Sequence, residues 1–119
     1  MRYAKLGLKG SVIDVLEVAE ADCQDADGAF DENIGVEFLT NLTSWAIWKA
    51  GTTARHDKNL GIGAVYDDTI DMFKGPKPGQ AGASWTFNTT SGEWDPPVAF
   101  PDDGEKYIWN EGTTSWDAL

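Results

Sequence analysis

A mainly β fold of the α+β kind, with one short helix, is predicted by three features of the 119-residue sequence. An aromatic pair separated by seven positions recurs three times in the C-terminal half, as Tyr66-Asp67…Phe73, Phe87-Asn88…Trp94 and Trp109-Asn110…Trp116. The run Val12-Ile13-Asp14-Val15-Leu16-Glu17-Val18 is dense in β-branched residues. Between these regions Ile34, Phe38 and Leu42 lie four apart with Leu39 beside them, the spacing of one side of a helix.

Taken in order, Tyr3-Ala4-Lys5-Leu6 leads through the turn-rich Gly7-Leu8-Lys9-Gly10 into the Val12–Val18 run, which predicts a β-hairpin over 3–18. Both faces of the second strand are largely apolar, so it is expected to be central in its sheet. Residues 20–32 are acidic and loop-like. A helix is expected over 33–42, capped by Asp31 or Asn33. Ser44–Ala50 reads as a strand, with Trp45, Ile47 and Lys49 on one face and Ala46, Trp48 and Ala50 on the other. Gly51–Leu60 is a polar loop holding the only histidine. The expected organisation is one domain over 1–119, with a ββαβ-like part at 1–60 and a three-hairpin part at 61–119.

The three hairpins follow from the repeat, whose copies start 21 and 22 residues apart. A period of this size marks one supersecondary unit used repeatedly. The Asp or Asn after each first aromatic favours a turn, and large aromatics pair well across neighbouring strands. The second and third copies share an aromatic two places upstream, Trp85 and Tyr107, and an Asp just after the end, Asp95 and Asp117. Proline- and glycine-rich connectors, 74–82 and 95–104, separate the copies and are expected to be extended or turned.

Composition narrows the function classes. A charge of −11 and a pI near 4.2 set the surface against a phosphate backbone, so no nucleic-acid partner is expected. No run is long and apolar enough to span a bilayer, and the N-terminus lacks the apolar stretch of a signal peptide, so neither a membrane nor export is expected. Cys23, the only cysteine, cannot form an intrachain disulfide.

The polar clusters read as structure, with no catalytic residue, metal site or cofactor expected. Asp25-Ala26-Asp27-Gly28 resembles part of a calcium loop, but the register puts Cys23 at its first position and Ile34 at its last. Asp67, Asp68 and Asp71 suit turn chemistry better than acid–base catalysis. His56 lacks the second His or nearby Cys of a zinc site, its pairing with Cys23 matches no nucleophile–base pattern, and Gly61-Ile62-Gly63 lacks the rest of a dinucleotide fingerprint. The remaining candidates are aromatics: Tyr66, Phe73, Trp85, Phe87, Trp94, Tyr107, Trp109 and Trp116. Three roles stay open for them: hairpin packing, a protein interface, or a sugar platform.

The order Gly61-Ile62-Gly63…Tyr66-Asp67…Asp71-Met72-Phe73…Pro76-Lys77-Pro78, then Ser84-Trp85…Asn88…Trp94-Asp95-Pro96-Pro97, then Phe100-Pro101-Asp102-Asp103-Gly104…Tyr107…Trp109-Asn110-Glu111…Thr114-Ser115-Trp116, resembles a known group. It is that of the small virion structural proteins of marine tailed phages, especially those of cyanobacteria. Tyr3-Ala4-Lys5…Val12-Ile13-Asp14-Val15 is similar to the start of the same proteins. One stretch departs: Gly79-Gln80-Ala81-Gly82-Ala83 stands where that group has a shorter aromatic-proline link. The resemblance implies a non-enzymatic virion component, made in the host cytoplasm and present in several or many copies.

Within that implication, a cement or decoration protein on assembled major capsid subunits is expected first, with homo-oligomers possible. A tail, baseplate or tail-fibre-associated component is the alternative, with fewer copies set by the symmetry of the tail. A carbohydrate-binding module on a host-recognition device is the third reading, and it requires two coplanar exposed aromatics.

Overall fold

Antiparallel pairing of the first two apolar runs organises the N-terminal part of the chain in a computed structural model that describes residues 1–119. Strand β1 (Arg2–Leu6) runs against β2 (Val12–Glu17), with Tyr3 opposite Leu16 and Ala4 opposite Val15. The connection turns at Lys9-Gly10, where φ is 56° and 77°, and the Ser11 N–H closes it onto the Leu8 carbonyl at 3.1 Å. Two consecutive left-handed residues match the right-handed twist of the strands they join.

Helix α1 (Glu32–Thr43) begins at Asp31, whose side chain accepts the Asn33 N–H at 2.9 Å, and stops at Ser44 in the left-handed region. It crosses over β1 and delivers β3 (Trp48–Ala50) to the free side of β1, giving the sheet order β2-β1-β3. The expectation of a central Val12–Val18 strand is therefore corrected: β1 is central and β2 is an edge. Centrality follows from burial on both faces. Tyr3 and Ala4, which point to opposite faces, are fully buried, whereas Ile13 of β2 is exposed. The outer side of β2 is occupied only at its start, where the Val12 N–H reaches the Ala64 carbonyl at 2.9 Å and Ser11 bridges Val65.

The helix also turns a different side to the sheet than its apolar spacing suggested. Gly35 and Leu39 are buried, while Phe38 and Leu42 face solvent, Leu42 being 66% exposed. Tyr3 sets this rotation. Its hydroxyl donates to the Glu32 carbonyl at 3.1 Å, and a Cβ at position 35 would lie 2.1 Å from that oxygen. A residue without a side chain must sit over the ring, and a stripe chosen by hydrophobicity passes glycine by.

β3 is shorter than the expected 44–50 strand, because Ser44 ends the helix and Trp45–Ile47 only lead into pairing. Trp48 and Ala50 do share the buried face, as their alternation predicted. The acidic stretch forms a 3-10 turn, Glu20–Cys23, and a loop in which Asp25 accepts the N–H groups of Asp27 and Ala29 at 2.9 and 3.0 Å. Residues 51–60 wind into two 3-10 turns, Thr53–Arg55 and Asp57–Asn59.

Each face of the sheet carries its own core. Tyr3, Trp48 and Ala50 pack with Leu39, Val18 and Cys23 under the helix. Ala4, Leu6 and Val12 pack on the other side with Leu60, Ala64, Tyr66 and Phe73. The last two belong to the first aromatic hairpin, β4 (Val65–Asp67) and β5 (Met72–Lys74), which thus covers the sheet.

This packing changes the domain description. Instead of one domain divided near residue 60, the chain forms two compact units, Met1–Gly75 and Pro76–Leu119. The second holds the other two hairpins, β6 (Thr86–Asn88) with β7 (Glu93–Asp95) and β8 (Tyr107–Asn110) with β9 (Ser115–Ala118). The fold is mainly β with one helix and several small antiparallel sheets, as the sequence predicted. No helix is long and apolar enough to cross a membrane.

Gly10 fixes the first hairpin onto the sheet. A Cβ there would stand 2.3 Å from the backbone oxygen of Tyr66, which cannot swing aside as a side chain can. Gly10→Ala therefore combines left-handed strain of about 1–2 kcal/mol with overpacking of about 1–3 kcal/mol. The expected loss is about 2–5 kcal/mol in the urea unfolding of the first unit.

Candidate functional site

All three aromatic repeats are hairpins in the predicted register. Tyr66 lies directly opposite Phe73, Phe87 opposite Trp94, and Trp109 opposite Trp116. Ring centroids are 5.4, 5.4 and 5.1 Å apart, with interplanar angles of 58°, 70° and 68°. Tilted pairs at such distances contribute about 0.5–1.5 kcal/mol each beyond their burial.

The polar residues of the repeat are explained by the same geometry. Residues 68–71, 89–92 and 111–114 form the loops, and each ends in the left-handed region, at Asp71, Gly92 and Thr114. The Asx residue after the first aromatic caps the turn: Asp67 accepts the Thr69 N–H, Asn88 those of Thr90 and Ser91, and Asn110 that of Thr113. The same side chain then reaches diagonally to the residue after the second aromatic. Asn88 donates to Asp95 and Asn110 to Asp117, both at 2.9 Å. In the first copy the polarity is exchanged, with Lys74 on Asp67 at 3.0 Å. That ion pair, foremost its hydrogen bond, holds the Asp67 carboxyl below its ordinary value.

In the first unit the hairpin is tied to the helix by Arg55. Its guanidinium takes Glu32 with both Nη atoms, donates from Nε to Asp71 at 2.8 Å and from Nη1 to the Ala50 carbonyl at 3.0 Å. The Glu32 carboxylate accepts the Ala50 N–H at 2.7 Å. The Gly51 N–H reaches Arg2 and the Leu6 N–H reaches Ile47, so the polar groups of Ala50 point away from β1. Glu32 and Arg55 therefore close the outer edge of β3, a place where unpaired backbone invites another strand.

Tyr66 completes the network by donating its hydroxyl to Asp71, and burial followed by that bond pushes its phenol up to about 12. Burial alone would raise Glu32, but the Arg55 hydrogen bonds, the Ala50 N–H and the guanidinium charge outweigh it, and the carboxyl sits low. Asp71 is held low by the Tyr66 hydroxyl and by Arg55, against a smaller opposing effect of burial.

A pH dependence follows. Both carboxyls have folded values below their unfolded ones, so the stability they contribute is complete above about pH 5 and is lost as pH falls through the lowered values. Arg55→Met is expected to cost about 2–3 kcal/mol at pH 7, below the range for a fully buried pair because Glu32 keeps some exposure. Its urea midpoint should then fall less steeply than that of the wild type between pH 6 and pH 3. Equal slopes would contradict this role.

The second unit is built around its third hairpin. Trp85, Trp109 and Trp116 meet edge to face at 5.1–6.0 Å, and Phe100 joins Trp116 at 4.9 Å and Tyr107 at 5.8 Å. Both connectors dock on it. Glu111 accepts the Ser84 N–H and hydroxyl at 2.7 and 2.6 Å and the Trp109 indole N–H at 3.0 Å, while Gln80 accepts the Trp109 backbone N–H. The stretch 79–83, where the chain departs from the phage resemblance, is thus part of this anchoring. Lys77 lies 5.0 Å over the Trp94 ring.

The eight predicted aromatics consequently divide. Tyr66, Phe73, Trp85 and Trp109 are buried within their units, and Phe87, Trp94, Tyr107 and Trp116 are half-buried. The structure brings Trp85, Tyr107, Trp109 and Trp116 into one cluster and places Tyr66 and Phe73 in a separate core. The ring pairs are tilted rather than coplanar, so they do not supply the flat platform that the sugar-binding reading requires. The large apolar side chains open to solvent are others, among them Leu8, Leu42, Ile47 and Ile62 in the first unit and Val98, Phe100, Ile108 and Leu119 in the second. Period-2 alternation exposed Ile108 beside buried Trp109, a signal available in the sequence; Phe100 in its proline-rich connector offered none. No family model, curated protein or solved structure matches the chain.

Proposed function

We propose that this chain is a non-enzymatic structural protein of a tailed-phage virion, most simply a cement or decoration protein that binds assembled major capsid subunits. One observation carries the reading. The residues that resemble marine phage virion proteins, 61–116, are those that build the hairpins: paired rings, Asx-capped turns and diagonal clamps. What recurs is a way of making small rigid β units, and that is a scaffolding property.

The contact surface in this reading differs from the paired aromatics expected first. Those rings are largely used within the fold, so exposed apolar side chains such as Leu8, Leu42, Ile47 and Ile62 in the first unit, and Val98, Phe100 and Ile108 in the second, are left to be covered by neighbouring subunits. The acidic residues stay in water and keep many copies apart from one another.

Co-sedimentation of the purified protein with assembled capsid shells and, separately, with purified tails tests this. Saturable binding to shells is expected, weakened by Leu42→Ala with unchanged melting. Binding to tails alone would move the protein to the tail or baseplate, and binding to neither would overturn the proposal.

A further inference from the structure

The third hairpin already holds a proline-rich segment of its own chain. Pro96-Pro97-Val98-Ala99-Phe100-Pro101 crosses it as a strap, with the Trp116 indole N–H donating to the Val98 carbonyl at 2.9 Å. Phe100 sets its ring edge-on against Trp116 and Tyr107. Aromatic grooves take extended proline-containing peptides in this way. Rings wall the apolar faces, and an indole donates to a carbonyl that polyproline backbone leaves unbonded.

Beside the strap lies an open recess of about 530 Å³, lined by Trp85, Trp116, Asp95, Pro96, Ala99 and Phe100. Its size suits a short stretch of peptide. Trp85 lines it, and the Trp85 indole N–H is buried without a hydrogen-bond partner, an arrangement that costs about 1–3 kcal/mol. The Trp85 and Trp116 rings meet at 69°, which makes a wedge. A pyrrolidine ring enters a wedge; the flat face of a sugar needs a plate. The charge of the surroundings selects further. The second unit has Lys77 and Lys106 against seven Asp and Glu residues.

We propose that this recess is a docking site for an extended, proline-containing peptide segment bearing Lys or Arg, supplied by a partner protein. The proposal goes beyond the virion reading and does not depend on it.

The test is a titration of the full-length, ¹⁵N-labelled protein with the synthetic peptide acetyl-Ala-Pro-Pro-Lys-Pro-Pro-Arg-amide. Saturable displacement of the Trp85 and Trp116 indole N–H resonances is expected, as both rings line the recess. A peptide with Glu in place of Lys and Arg should bind about tenfold more weakly at low salt. Phe100→Ala, at a half-exposed ring, should weaken the parent peptide about tenfold while the Trp109 indole resonance stays in place. If that variant disturbs the hairpin, the charge-reversed peptide still decides. No displacement by the parent peptide, equal binding of both peptides, or displacement by cello-oligosaccharides instead would each overturn the proposal.

Discussion

Trp109→Ala is expected to unfold residues 76–119 while residues 1–75 stay folded. Trp109 is buried, touches Trp85 and Trp116, and donates its indole N–H to Glu111, which holds the Ser84 connector. Removing a buried Trp costs about 3–5 kcal/mol, and a unit this small has only about that much stability to lose. A ¹⁵N–¹H spectrum would show the effect directly, with the second unit's signals collapsed into the unfolded range and the first unit's retained. Loss of both sets would mean that the two compact units do not fold separately. Retention of both would mean that the Trp109 side chain is not what holds the third hairpin.

Phe73→Ala should have the corresponding effect in the first unit. Phe73 is fully buried and sits opposite Tyr66, between the sheet core and the hairpin that covers it. The cavity and lost burial cost about 3–5 kcal/mol. At about 4–8 °C for each kcal/mol in a unit of this size, the melting temperature falls by at least about 12 °C. Phe73→Leu keeps most of the volume and should recover more than half of the loss. A small effect of Phe73→Ala would place the hairpin outside the core.

The contrast between these sites shows what the sequence could and could not reveal. The hairpin pairs were legible because ring, Asx and second ring recur at one spacing, and a four-residue loop puts the two rings opposite each other. The helix was legible in position and cap but not in rotation. Its orientation is set by Tyr3, a residue 29 positions from its hydrogen-bond partner Glu32, and by the absence of a side chain at Gly35. The edge position of β2 was hidden for a similar reason. An apolar strand next to a covering hairpin and one between two strands have similar composition, and only the long connection through α1 decides which edge β3 takes. The unit boundary at 75/76 was missed because the first repeat resembles the other two in sequence while its rings pack on a different core. Arg55 had no local signal at all, since its partners Glu32, Ala50 and Asp71 come from three separate elements.

The candidate surface was the least legible part. Aromatic residues suggest contact surfaces by composition, yet here the most prominent rings are enclosed by their own hairpins and connectors. Smaller apolar residues beside them, such as Ile108 and Val98, are left outside.

The proposed virion role is tested most directly by the number of copies of this chain in purified phage particles, measured by quantitative mass spectrometry against the major capsid protein. A copy number in fixed proportion to the major capsid protein is expected of a cement protein. Its absence from particles that are otherwise complete would contradict a structural role in the virion.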